Sequence, residues 1–136
     1  MINTKTIEDR LRVLEVFPDT VERSAQIFLN AKTEEDVKQE MIRDHTSCSA
    51  GQFLYFHMNK LVKLQPEILD EAESKLTEYG IEREHIKHYF SSGADPELVM
   101  VLSHGDKYSV ELREKFFDTA FLFGLSKMKQ YLGIEE

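Results

Sequence analysis

The chain has a single cysteine, Cys48, among 136 residues, which excludes an intrachain disulfide framework and a cysteine-based zinc site. A reducing cytoplasm is the simplest setting for it. Basic residues are in short supply: 17 Lys and Arg face 25 Asp and Glu, for a formal net charge of −8 and a pI near 5.2. Phosphate backbones are bound by a basic face, so no nucleic-acid partner is expected. The same balance suits solubility, a basic protein partner or DNA mimicry. No apolar run approaches the roughly 18 residues that a membrane-spanning helix needs. The N-terminal stretch MINTKTIEDRLRVLEVF mixes acids with its apolar residues, unlike a signal peptide. No membrane insertion and a cytoplasmic location are the resulting expectations. Internal repeats, low-complexity tracts and a catalytic signature are also missing, and the chain reads as a non-enzyme.

What is present reads as one all-α domain, residues 1–136, of seven to eight helices. Hydrophobic residues at 41% and charged residues at 31% match a folded globular chain long enough for one core. Nearly every segment repeats its apolar residues at the helical period of about 3.6. Thr4 or Thr6 can cap a first helix with Ile7, Leu11 and Leu14 on one face. Phe17-Pro18-Asp19 ends it, because the residue before proline is pushed out of the helical region. Asp19 or Thr20 starts a second helix with Val21, Ala25 and Phe28 as its stripe. Thr33-Glu34-Glu35-Asp36 is close to a capping box, with acids in the favoured first turn, and leads into Val37, Met41 and Ile42. Ser49 to Leu64 sets Ala50, Leu54, His57, Met58, Leu61 and Leu64 on a broad face, with Phe53 beside them. Pro66 suits the first position of the next helix, and Gly80 its C-cap. Ile81 to Phe90 holds His85, His88 and Tyr89. Asp95-Pro96 opens a segment whose Leu98-Val99-Met100-Val101-Leu102 is apolar on every side. Helix is expected there, since a lone strand would have no partner.

The last and longest helix is Ser109 to Leu132. Its centre, from Phe116 to Leu125, holds four of the nine phenylalanines. A surface helix needs one apolar stripe. Leu122 and Leu125 fall outside the arc of Phe116, Phe117, Ala120 and Phe121, so this helix must meet the core and a second body. Another helix, a second subunit or a bound apolar ligand would serve.

Several polar residues sit where chemistry could use them. Glu82-Arg83-Glu84-His85 has the Glu-x-x-His spacing of carboxylate-bridged di-metal bundles, but such sites need a second copy and none is present, so no metal is expected. Arg83 and His88 are similar in spacing to the Arg-x4-His of the HEPN family of helical ribonucleases. Glu84 stands where that family prefers asparagine, aspartate or histidine. Cys48 reads as a structural thiol. His57 lies within the apolar arc of Phe53, Leu54, Leu61 and Leu64, either as a core histidine bonded to a carbonyl or hydroxyl or as a polar group at the edge of a ligand pocket. Arg113 falls on the same side as Phe116, Phe117 and Ala120, with Gly124 and Tyr131 near that direction. A guanidinium cannot be neutralised. Either it reaches solvent or an acid such as Asp106, or a ligand's carboxylate meets it, aided by the partial positive charge of the helix N-terminus.

The order and lengths of these helices resemble the globin layout with an extra N-terminal helix, as in globin-type bacterial sensor domains. The helix near 66–79, which would carry a proximal histidine, has none, so no heme cofactor is expected. The likeness is to heme-less sensor domains, among them small proteins of spore-forming bacteria similar to the sensor region of a sporulation histidine kinase. That resemblance implies a homodimer through the last helices and a bound fatty acid in an apolar tunnel, its carboxylate engaging an arginine and a chloride. It further implies inhibition of sporulation by competing for the kinase's signal. Carried over, Arg113 is the carboxylate arginine, Phe53, Phe116, Phe117 and Phe121 line the tunnel, and His57 stands at its edge. The second reading is an acidic protein inhibitor, such as an immunity protein, antitoxin or phage-encoded antagonist, steered to a basic partner by its charge. Clustering of Glu34, Glu35, Asp36 and Glu40 with Asp70, Glu71 and Glu73 on one face would mark it.

Overall fold

A computed structural model describes residues 3–46, 49–91 and 107–134. Among these residues seven α-helices span Thr4–Val13 (α1), Val21–Asn30 (α2), Glu34–Arg43 (α3), Ala50–Leu64 (α4), Glu67–Leu76 (α5), Arg83–Ser91 (α6) and Val110–Leu132 (α7). Two 3-10 turns, Pro18–Thr20 and Thr77–Tyr79, precede α2 and extend α5. The described residues form an all-α domain with no strand. None of these helices is long and apolar enough to cross a membrane. Leu98–Leu102, the 92–96 loop, the 103–106 turn and Cys48 lie outside the described residues.

Local chemistry sets the helix ends. Asn3, rather than Thr4 or Thr6, caps α1: its side-chain oxygen accepts from the Lys5 backbone N–H at 2.9 Å. The Thr33 hydroxyl accepts from the Asp36 N–H at 3.2 Å, and the Asp36 carboxylate accepts from the Thr33 N–H at 3.1 Å and the Lys32 N–H at 2.9 Å. These bonds, that from Lys32 foremost, hold the Asp36 carboxyl below the usual carboxylate range. Ser49 and Ser109 cap α4 and α7 by accepting from Gln52 and Leu112. Gly80 follows the extension of α5 at φ 79°, a left-handed conformation that costs glycine little.

The apolar faces converge on α7, which touches α1, α2, α3, α4 and α5. Phe116, Ala120, Phe121, Phe123, Leu125, Met128 and Leu132 are all buried along it. Leu125, the residue that required a second packing surface, is 3% exposed against these helices, whereas Leu122 stays 50% exposed. The second body is thus largely the chain itself. Where α7 crosses α4 the contact is close, because a Cβ built on Gly124 would lie 3.2 Å from Leu54 Cδ2 and 3.5 Å from Met58 Cγ. At its far end α7 is tied to α1 by a reciprocal pair: Arg10 Nη1 donates to the Tyr131 carbonyl at 2.7 Å, and the Tyr131 hydroxyl donates to the Arg10 carbonyl at 2.8 Å.

Replacing Gly124 by valine forces two methyl groups into the α4 crossing. Urea unfolding is expected to show a loss of about 1–3 kcal/mol, the range for overpacking. Leu122→Ser on the same helix should change stability by no more than about 0.5 kcal/mol.

Candidate functional site

A cavity of about 220 Å³ opens where α2, α3 and α4 meet. Helical spacing explains the walls. On α2, Arg23, Ser24 and Ile27 stand one, three and four residues apart, on one face. On α4, Gln52, Phe53, Phe56 and His57 repeat the same pattern. The remaining wall comes from Met41 in the last turn of α3 and from two short segments carrying Phe17, Thr20 and Thr46.

Both segments leave their helices through left-handed residues that are not glycine. Glu15 has φ 61° and precedes Phe17 by two residues; His45 has φ 56° and immediately precedes Thr46. After α3 the His45 N–H donates to the Ile42 carbonyl at 3.0 Å and the Thr46 N–H to the Met41 carbonyl at 2.9 Å, a Schellman ending. That turn aims Thr46 back at α2, where its hydroxyl accepts from Arg23 Nη1 at 3.3 Å. Phe17, 67% exposed, stacks on Phe56 at 5.9 Å and 10° to form an outer lip. The Lys60 ammonium lies 5.7 Å from the Phe56 ring centre, adding a second cation near the lip.

Two polar groups give the cavity its character. Arg23 is half-buried, and among the described residues it makes no ion pair. His57 is 3% exposed and is ringed by Phe28, Phe53 and Phe56, with centroids 5.2, 4.6 and 5.3 Å away. Its Nδ1 lies 2.8 Å from the Phe53 carbonyl, and its Nε2 has no partner. Burial in this apolar cage pushes the imidazole from its ordinary 6.5 down to about 4, against the opposing pull of the Phe53 carbonyl. The ring is therefore neutral at pH 7.

The residues singled out in the sequence divide between this cavity and the core. Phe53 and His57 line the cavity together. Phe116 and Phe121 are buried in the core, and Phe117 packs edge-on against Phe116 at 5.5 Å. Arg113 is half-buried in the first turn of α7, and none of these four residues belongs to the cavity wall. Arg23, Ser24 and Phe56 escaped notice because an arginine next to a serine on a short helix reads as surface. The available signal was the i,i+4 step from Arg23 to Ile27, whose side chain is buried.

The other candidates are tied into the surface. His85 Nδ1 lies 2.9 Å from the Tyr108 hydroxyl, which also accepts from the Glu82 N–H at 3.2 Å. His88 is exposed, and Arg83 pairs with Glu73 at 2.9 Å. Among the described residues no group of three or more His, Cys, Asp or Glu side chains is placed to hold a metal. The acids of α5 meet bases: Asp70 and Glu73 pair with Lys87, and Glu71 with Lys127. Glu73 in turn raises the Lys87 ammonium's pKa.

The neutral, buried His57 makes stability depend on pH. Between about 6.5 and about 4 the unfolded chain takes up a proton that the folded ring refuses, so stability falls as pH drops through that window and levels off below it. The loss is of the order of 3 kcal/mol at the usual conversion. Urea midpoints of the wild type and His57→Leu from pH 7.5 to 4 check this, the variant lacking that part of the decline. No family model, curated protein or solved structure matches this chain.

Proposed function

We propose that the chain is a non-catalytic regulatory domain that binds a small apolar ligand bearing an anionic head. One observation carries this reading: an apolar cavity of about 220 Å³ is lined by a half-buried arginine that has no carboxylate partner among the described residues and by His57, whose buried Nε2 is unpaired there. Apolar walls with a few convergent polar groups are the usual makeup of a small-molecule site. A carboxylate on Arg23 would gain a charge-assisted bond, with Lys60 adding favourable field. Ser24 is the buried hydroxyl of the wall, yet Nε2 of His57 accepts nothing from it. An activated serine needs that bond, so the arrangement favours binding over catalysis.

Size narrows the ligand. A benzene ring fills an engineered cavity of about 150 Å³, so this space suits a molecule of roughly eight to eleven non-hydrogen atoms. A medium-chain or aromatic acid fits the role that the globin-like resemblance gives to a fatty acid with chloride. In the same resemblance, occupancy would titrate the signal of a sporulation sensor kinase. A homodimer through the last helices would use the apolar residues of α7 left exposed, Val110 and Leu122.

Calorimetric titration with octanoate tests the reading. Arg23→Ala is expected to weaken binding by about 1.5–3 kcal/mol, the range for a bond to a charged group. Arg113→Ala should leave the affinity unchanged, and the reverse result would move the head group to α7. Native mass spectrometry of gently purified protein reports oligomeric state and retained ligand together.

A further inference from the structure

The two nitrogens of His57 have different jobs, and the hydrogen bond already made decides which. A carbonyl oxygen can only accept, so at 2.8 Å from the Phe53 carbonyl the Nδ1 must carry the proton. In a neutral ring Nε2 is then a bare lone pair. It is buried and has no donor among the described residues, although nearly all buried polar atoms in folded proteins are paired. A lone water is poorly suited to pair with it. Such a water needs two to four polar partners, and the imidazole is surrounded by the rings of Phe28, Phe53 and Phe56.

We infer that the ligand is bifunctional: its acid group meets Arg23, and a hydroxyl or N–H elsewhere on it donates to Nε2 of His57 when the rings that cover this nitrogen in the empty cavity give way. This rests on the binding reading above and goes further by fixing the ligand's second polar group and the direction of its hydrogen bond. A carboxylate cannot take the His57 position, because an acceptor facing a lone pair is repelled. The imidazole selects a hydroxylated or N–H-bearing acid over the plain acid of the same skeleton, and Arg23 attracts both alike. Phe53 and Phe56 provide the apolar surface between the two polar ends.

Matched pairs of probes separate the parts: para-hydroxybenzoate against benzoate, and omega-hydroxyoctanoate against octanoate, each titrated calorimetrically into the full chain. In at least one pair the hydroxylated acid should bind about tenfold tighter, the equivalent of one net hydrogen bond. His57→Leu should reduce that ratio to about one, whereas Arg23→Ala should weaken both members equally and keep the ratio. In the wild type, the ¹⁵N resonance of His57 Nε2 should shift upfield with the hydroxylated member alone, a readout that does not depend on a variant folding. Equal binding within both pairs and an unmoved Nε2 resonance would overturn the donor requirement and leave the binding reading standing. No binding by any of the four acids at millimolar concentration would overturn both.

Discussion

Enclosure of α7 is the constraint on which the other elements depend. A helix with Phe116, Phe121, Phe123, Leu125, Met128 and Leu132 spread around its circumference cannot be satisfied by one neighbour. Among the described residues, α1 to α5 gather about it, and Tyr89 and Phe90 of α6 set their rings against Phe116 and Phe123. Small residues set the approach: with no side chain at Gly124, α4 comes close enough for Leu54 and Met58 to rest on the α7 backbone. Because α4 is held there on one side, its opposite shoulder, bearing Phe53, Phe56 and His57, is left facing α2 and α3. The cavity is a consequence of that division of labour.

The fold was largely legible because several helices advertise an end. Ser49, Thr33 and Ser109 do what cap residues do, and Gly80 takes the left-handed conformation that its position after an apolar stripe implies. The endings of α1 and α3 were harder to read. Glu15 and His45 adopt positive φ without being glycine, and no local propensity marks them. Such residues persist where surrounding contacts over-determine them, which a sequence does not display. The site was legible by half. His57 and Phe53 stand out as a histidine in an aromatic arc. Arg113 and Arg23 look alike by helical period, and only the packing of α2 against α3 and α4 distinguishes a half-buried cation beside a cavity from one in the first turn of a central helix.

The polar groups of the cavity illustrate how little chemistry is needed to give direction to an apolar space. Among the described residues Arg23 is held by one bond to Thr46, itself placed by the turn after α3. His57 is oriented by its own helix, since the carbonyl four residues earlier takes the Nδ1 proton. The backbone thus selects the tautomer. Replacement by another polar side chain would not reproduce it, because a glutamine could flip and present either end of its amide.

The exchange of hydrogen bonds between Arg10 and Tyr131 joins positions 121 residues apart. It turns the chain into a closed loop whose two ends share one fastening. The entropy of closing a loop grows with its length, so these bonds become favourable only after the intervening helices have brought α1 and α7 together. They report completion rather than initiation of folding. In the native state they fasten α1 to the last turn of α7, so opening of that turn away from α1 breaks both bonds together.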